Sequence, residues 1–122
     1  MAGSKVLILE DAIFVREMEK KFLRGLGFST FVETNSETEA VAQLDHNRFG
    51  LAIIDLHIAE GSGESAIQKI RARDARLPIV VVTSFPDRLQ DNQLAKNSYN
   101  AILAKPFTEK DFRSKISEVI HD

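Results

Sequence analysis

The sequence has no cysteine among its 122 residues, which excludes disulfide bridges and cysteine-ligated zinc sites. This composition is typical of an intracellular protein, so we expect a cytoplasmic location. Long apolar runs are also missing, since none approaches the ~20 residues that a membrane-spanning helix needs. The N-terminal residues Met1 to Ser4 carry no apolar signal segment. We therefore expect no membrane insertion.

An excess of charge of either sign is lacking as well. Lys and Arg total 16 against 18 Asp and Glu, which gives a net charge of −2. Without a basic excess, direct binding to nucleic acid or to an anionic membrane surface is not favoured. No repeat, linker or low-complexity tract divides the chain, and its length suits one domain, which we place at residues 4–122.

What the sequence does contain is a regular series of short apolar runs. These runs are too short for ordinary helices and suit strands that are buried on both faces. The predicted strands are residues 6–9, 28–34, 51–55, 79–82 and 101–104.

Segments with helical periodicity follow each run. The core side chains assigned to the first and last helices are Phe14, Met18, Phe22 and Phe112. Ser36 and Thr108 each stand three residues before an acid, which predicts N-caps for the second and last helices. The second helix is expected to end near Asn47. The fourth, at residues 87–97, has a sparse apolar stripe, so we expect it to be short or mobile.

Strand followed by helix, five times over, implies a parallel sheet covered by helices on both faces. Because crossovers between parallel strands are right-handed, few arrangements remain. We predict an α/β fold with a five-stranded, doubly wound, flavodoxin-like sheet in strand order 2-1-3-4-5 and five helices.

Polar side chains stand where four of these strands end. Glu10 and Asp11 follow the first strand, and Asp55 ends the third. Thr83 follows the fourth strand, and Lys105 follows the fifth. Parallel strands share one carboxyl edge, and strands 1 and 3 are neighbours at the switch point, where a crevice opens. We therefore expect the three carboxylates to converge there.

Converging carboxylates repel one another unless a cation lies among them. With oxygen ligands only and no cluster of Cys or His, Mg²⁺ is the natural candidate. A cation, a carboxylate, a hydroxyl and a lysine together make a phosphoryl-transfer set. Asp55 can attack phosphorus and form an acyl phosphate, and Lys105 can pair with a phosphoryl oxygen. Thr83 can donate a hydrogen bond to the attached phosphate.

Each of these residues also has a simpler interpretation. Asp55 alone can be a loop acid or a helix cap, and Glu10 and Asp11 can complement the dipole of the first helix. Thr83 can be an ordinary β-branched strand end, and Lys105 can be a surface lysine. The whole set, in order along the chain, favours the functional interpretation.

The same positions resemble the receiver domains of two-component response regulators over nearly the whole chain. The motifs that carry this resemblance are Glu10-Asp11, Asp55, Gly63 eight residues later, Thr83 and Lys105-Pro106-Phe107. The resemblance implies that Asp55 is the phosphorylation site, Thr83 the switch hydroxyl and Lys105 the phosphate-contacting base.

The resemblance also implies a metal site and partners. Mg²⁺ would be bound by the acids, with help from the backbone carbonyl of His57, and the Lys105–Pro106 peptide would be cis. The function implied is that of a signalling phosphoacceptor rather than an enzyme. Its donor would be a histidine kinase or a histidine phosphotransfer protein, and its output an unknown protein partner. Whether the domain works alone or as part of a longer protein stays open.

One departure from the family affects the output region. The family usually has an aromatic residue three positions before the lysine, where this sequence has Ile102. A degenerate receiver that binds partners without phosphate is therefore an alternative. A small aspartyl-phosphate phosphatase of the haloacid dehalogenase type is another, although His57 stands where that class usually has its second Asp.

Overall fold

Five parallel strands form one sheet in the computed structural model, which describes residues 4–87 and 94–120. The elements are β1 (Lys5–Leu9), α1 (Ile13–Arg24), β2 (Thr30–Thr34), α2 (Glu37–Gln43), β3 (Leu51–Asp55), α3 (Gly63–Arg73), β4 (Ile79–Thr83), β5 (Ala101–Ala104) and α4 (Glu109–Val119). The strands lie in the order β2-β1-β3-β4-β5, and each neighbouring pair is parallel. The predicted fold class and strand order are confirmed.

The core lies on both faces of this sheet. β3 and β4 are buried along their whole length, which explains their unbroken apolar runs. Because alternate strand residues point to opposite faces, two clusters form. One packs side chains such as Leu7 and Ile54 against α2 and α3. The other packs Ile8 and Ile53 against α1 and α4.

Two helix caps form as the sequence predicts. The hydroxyl oxygens of Ser36 and Thr108 accept hydrogen bonds from backbone N–H groups three residues later, at 3.2 and 3.1 Å. α2 nevertheless ends at Gln43, a turn before the expected end at Asn47. The reason is that the next N–H groups bond to carbonyl oxygens three residues back, which tightens the helix into a turn.

The assignment of Phe14 to the core is wrong, because this residue is 77% exposed. α1 begins just beyond the carboxyl edge of the sheet, so its first turn has no strand beneath it. Farther along the helix, Phe22 and Leu23 are buried against the sheet and Met18 is partly buried beside them. A regular spacing of apolar residues therefore predicted the helix but not where it meets the core.

The described part of the chain contains four α-helices where the sequence predicts five. The remaining predicted helix, the short or mobile one at 87–97, falls largely on residues 88–93, which lie outside the described residues. A 3₁₀ turn at Lys96–Ser98 precedes β5. No helix within residues 4–87 and 94–120 has the length and apolar character needed to cross a membrane.

Candidate functional site

The carboxyl edge of the sheet gathers the predicted site residues. The register sets the strand ends level with one another, since Asp55 pairs with Val82 and Thr83 pairs with Ala104. α1 covers one face of the sheet and α3 the other, so a crevice opens between the ends of β1 and β3. Asp55 lies at this crevice and is 3% exposed.

Three carboxylates meet in the crevice. Glu10, Asp11 and Asp55 each offer an oxygen, and the three oxygens lie within 4.8 Å of one another. Lys105 reaches the same cluster from the end of β5. Its Nζ lies 2.8 Å from Glu10 Oε1 and 2.9 Å from Asp55 Oδ2. The ammonium group therefore offsets part of the negative charge that the sheet brings together.

Burial and the neighbouring charges both act on the pKa values of Glu10 and Lys105. Burial raises the pKa of Glu10 to about 7, with Lys105 opposing the rise and Asp55 adding to it. Burial also disfavours the charged form of Lys105, but contacts with Glu10 and Asp55 outweigh this effect, so the pKa of Lys105 lies above its ordinary value. The cluster therefore attracts further positive charge, either a proton on Glu10 or a cation.

The donor set of the crevice fits a hard divalent cation. Its three acids offer carboxylate oxygens, the ligand type that Mg²⁺ prefers over sulfur and imidazole. The raised pKa of Glu10 points the same way, because it marks a site where a buried carboxylate lacks sufficient compensating charge. The backbone carbonyl of His57 belongs to the loop after β3, and its part in metal binding stays a prediction.

The loop after β3 is tied to the acids through its own backbone. The N–H of His57 donates to Asp55 Oδ1 at 3.0 Å, and the N–H of Ala59 donates to Asp11 Oδ2 at 2.7 Å. Gly63 closes this loop at the start of α3, where an added Cβ would collide with the Asp55 carbonyl oxygen. The glycine of the sequence motif is therefore required by a close backbone approach.

Thr83 ends β4 and is fully buried. Its hydroxyl oxygen accepts a hydrogen bond from the N–H of Phe85 at 3.0 Å, and its carbonyl oxygen accepts one from the N–H of Lys105 at 2.8 Å. The second bond joins the ends of β4 and β5. β4 is the strand next to β3, and Thr83 directly follows Val82, the residue that pairs with Asp55.

Two features of β5 and the residues after it bear on the resemblance to the receiver family. The Lys105–Pro106 peptide bond is cis, as implied. Ile102 pairs with Val81 and, together with Tyr99, packs against the core cluster shared with α2 and α3. An aliphatic side chain offers neither a ring nor a hydroxyl, so a relay from Thr83 to an aromatic ring at position 102 is excluded.

An apolar rim beside the crevice was missed by sequence reasoning. We use this name for Ile13, Phe14 and Phe85, which are 67%, 77% and 46% exposed. The ring of Phe85 meets the exposed His57 ring edge-on, with centroids 5.6 Å apart. Phe14 lines a cavity of about 260 Å³ that extends to Lys105. Position in the sequence could have predicted that Ile13 and Phe14 are exposed. Both residues closely follow the acid pair, before the helix reaches the sheet.

Two buried glutamates were also missed. Glu19 in α1 is 1% exposed, and neither of its carboxylate oxygens has a hydrogen-bond partner among the residues that the structure describes. Burial raises its pKa well above the ordinary value, and the negative charge of Glu10 adds to the rise. Glu37 in α2 is 8% exposed but has several partners. Nothing in the sequence distinguishes either residue from a surface glutamate.

Comparison with known proteins accounts for this arrangement. The family model described as the response regulator receiver domain matches residues 6–117. The chain belongs to the response regulator receiver family. Its members are two-component signalling proteins rather than classical enzymes.

Individual receiver proteins are similar over most of this chain. The chemotaxis protein CheY of Pseudomonas aeruginosa is 30% identical over 117 residues, 94% of each chain. The transcription factor SKN7 of Candida albicans is 31% identical over 96% of this chain, which spans 21% of that protein. The receiver domain of the sensor histidine kinase PA1611 from Pseudomonas aeruginosa PAO1 has a TM-score of 0.84 at 25% identity, over 97% of this chain and 98% of that one. That structure has a magnesium ion coordinated in its active site cleft.

Proposed function

We propose that residues 4–122 form one receiver domain that accepts a phosphoryl group on Asp55 in a Mg²⁺-dependent reaction. The donor is a histidine kinase or a histidine phosphotransfer protein. The observation that carries this proposal is the cluster in which one lysine ammonium lies within 2.9 Å of both Glu10 and Asp55. The magnesium ion in the PA1611 receiver domain supports the choice of metal.

The residues of the crevice divide the chemistry among them. An oxygen of Asp55 forms a bond to phosphorus while the bond from phosphorus to the donor's histidine nitrogen breaks, and that nitrogen keeps the electron pair. Glu10, Asp11 and Asp55, with the His57 carbonyl, would hold Mg²⁺, which supplies positive charge to the phosphoryl oxygens. Lys105 then pairs with a phosphoryl oxygen in place of one of its present carboxylate contacts.

The attached phosphate is the signal. It adds a charge of about −1.5 to −2 beside the end of β4. Thr83 donates its hydroxyl to the phosphate, and Phe85, whose N–H is bonded to that same hydroxyl oxygen, is the aromatic residue placed to respond. The change at this edge alters a surface that a downstream protein partner recognises.

The apolar rim suits a protein donor. Large apolar side chains that are exposed together beside a functional site mark an interaction surface. Ile13 and Phe14 stand next to the acids on the first turn of α1. A protein that covers them with an apolar face would bring a phosphohistidine ring to Asp55.

A degenerate receiver is the second candidate, and Ile102 is the observation that favours it. A protein of this kind would bind its partner without using phosphate. The third hypothesis, a phosphatase of the haloacid dehalogenase type, has little support, because His57 takes the place of the second acid and its side chain is exposed.

Intact-mass measurement after incubation with acetyl phosphate and Mg²⁺ tests the proposal. We expect the mass of one phosphoryl group to be added, and to be absent from Asp55→Asn and from a sample treated with EDTA. An unmodified wild-type protein that still binds a partner would favour the degenerate receiver. Many turnovers of a phosphomonoester per protein would favour the phosphatase.

A further inference from the structure

Glu37, the first residue of α2, directs both carboxylate oxygens at the segment that leads into α3. Oε1 accepts a hydrogen bond from the N–H of Ser62 at 3.0 Å. Oε2 accepts one from the Ser65 hydroxyl at 2.6 Å and one from Lys69 Nζ at 2.7 Å. The bonds from Lys69, Ser65 and Ser62 lower the pKa of Glu37 to about 2, so this carboxylate is charged at neutral pH.

The backbone strengthens the same attachment. The N–H of Glu37 donates to the carbonyl oxygen of Glu60 at 3.1 Å, and Ser36 forms an isolated parallel bridge with Glu60. Gly61 has a positive φ of 90°, and a Cβ there would lie 2.6 Å or less from atoms of the Glu37 side chain. The start of α2 and the end of this loop are therefore packed directly against each other.

The opposite end of the loop is hydrogen-bonded to two acids of the crevice. Between β3 and α3, the N–H groups of His57 and Ala59 donate to Asp55 and Asp11. Only two residues, Glu60 and Gly61, lie between Ala59 and Ser62, and Ser62 donates its N–H to Glu37. Because consecutive Cα atoms are about 3.8 Å apart, so short a segment limits how far Ala59 can move relative to Ser62.

We propose that Glu37 is a positioning residue for the metal and phosphorylation site, because it fixes the loop that carries His57 and Ala59. This inference rests on the proposed function of the crevice. A cation bound by Asp11 shares the carboxylate that accepts from Ala59, so the loop must keep a defined position in the bound state. Without Glu37 the loop has more positions available, and binding must order it.

Linkage makes the coupling reciprocal. If Glu37 favours the loop position that binds the cation, then cation binding favours the Glu37 contacts to the same extent. Mg²⁺ added at the crevice should therefore alter the surroundings of Ser62 and Ser65. A glutamate with a merely structural role would not respond in this way.

The variant Glu37→Gln keeps the shape of the side chain and one carbonyl oxygen for the Ser62 N–H, but the NH2 group that replaces Oε2 cannot accept a hydrogen bond from Ser65 or Lys69. We expect the Kd for Mg²⁺, measured by calorimetry on the whole protein, to rise about tenfold. Lys69→Gln, which leaves the bonds to Ser62 and Ser65 in place, should raise it less. The matched control is Glu118→Gln, an exposed acid on α4 paired with Lys115, which should not change it.

Amide NMR shifts during the Mg²⁺ titration give the second readout. In the wild type, the signals of Ser62 and Ser65 should move with the same apparent Kd as that of Ala59. In Glu37→Gln, the two serine signals should lose most of this response, while the signals of α4 report a folded protein. If Glu37→Gln is unfolded, Lys69→Gln and Ser65→Ala make the same test.

The outcomes separate this inference from the proposal on which it rests. Wild-type protein that neither binds Mg²⁺ nor gains a phosphoryl group would overturn the proposed function and this inference with it. Wild-type protein that does both, alongside a folded Glu37→Gln with an unchanged Kd and unchanged serine shifts, would overturn the role of Glu37 alone.

Discussion

The two halves of the crevice are built in different ways. The acid half consists of Glu10, Asp11, Asp55 and Lys105. Its three acids already lie close together, and the lysine is within 2.9 Å of two of their carboxylates. The hydroxyl half, at the end of β4, consists of Thr83 and Phe85, and its hydrogen bond is made within the half itself. The two halves are joined through the backbone, where the N–H of Lys105 donates to the Thr83 carbonyl oxygen.

This difference indicates that the two halves have different roles. The three carboxylates repel one another, so the fold has to hold them together before any ligand binds. The positive charge of the lysine reduces this repulsion. A neutral hydroxyl needs no such support and can stand on the neighbouring strand until an anion appears. The acid half therefore serves the chemistry, and the hydroxyl half serves the response to it.

Lys105→Met should separate the two roles most strongly. We expect phosphorylation by acetyl phosphate to slow about 10²–10³-fold, because the transferred group loses a positive partner. Mg²⁺ affinity should rise rather than fall, because the ammonium no longer competes for Glu10 and Asp55. Mass-spectrometric time courses and calorimetry measure the two effects, with Lys110→Met on the exposed face of α4 as the control. An unchanged rate with weakened Mg²⁺ binding would contradict this account.

Asp11→Asn should affect metal binding within the acid half. Asparagine still has an oxygen to accept from the Ala59 N–H, so the loop contact can remain while the charge is lost. We expect the Kd for Mg²⁺ to rise at least about tenfold, and phosphorylation to recover at high Mg²⁺. Asp111→Asn, on α4, is the matched control. Equal Mg²⁺ affinity in Asp11→Asn and the wild type would remove Asp11 from the metal site.

Glu19→Met tests whether the excess of acid extends beneath the crevice. The folded protein holds this proton at pH values where the unfolded chain has lost it, because the pKa of Glu19 is raised above 4.5. Wild-type stability should therefore fall as the pH rises above about 4.5. The variant should be more stable by about 1–3 kcal/mol at pH 8, and the difference should shrink toward pH 4.5.

Urea unfolding across this pH range measures the effect of Glu19. The variant Glu19→Gln, which is neutral but still polar, should also lose the part of the pH dependence that Glu19 contributes, and should gain less stability than Glu19→Met; the part due to Glu10 should remain. Parallel stability curves for the wild type and both variants would show that Glu19 has an ordinary pKa. The charged groups that act on it are Glu10, Lys105, Asp55 and Arg16.

Thr83→Ala should produce the smallest change in the resting protein. The loss of the hydrogen bond from Phe85 should lower the free energy of unfolding by about 1 kcal/mol. Mg²⁺ affinity and the addition of phosphate to Asp55 should persist, while the amide shift of Phe85 on phosphorylation should be lost and Thr83→Ser should retain it. Loss of Mg²⁺ binding in Thr83→Ala would show that the two halves are not separate.

The sequence predicts the sheet and its reactive edge because both depend on patterns along the chain. Strands buried on both faces must be apolar throughout, so a polar residue such as Asp55 or Thr83 marks where each strand ends. Parallel pairing then brings those ends to one edge. The same reasoning places Lys105 there, at the end of β5.

Other features depend on where an element lies in space, which periodicity does not record. Phe14 has the right spacing for a core residue, but it stands on a turn of α1 that extends past the sheet. Glu19 and Glu37 both occupy helices in ordinary amphipathic positions. One is buried with no partner among the described residues, and the other is held by three donors. Only the packing of α1 and α2 against their neighbours distinguishes them.

The most direct test of the central claim is a crystal structure of the protein grown with Mn²⁺, as a stand-in for Mg²⁺, and trifluoroberyllate, as a mimic of the phosphoryl group. Anomalous scattering locates the metal without reference to any expectation. The account predicts a manganese peak in contact with Glu10, Asp11 and Asp55, and the mimic on Asp55 within reach of Thr83 and Lys105. A metal bound elsewhere, or a mimic attached to another residue, would contradict it.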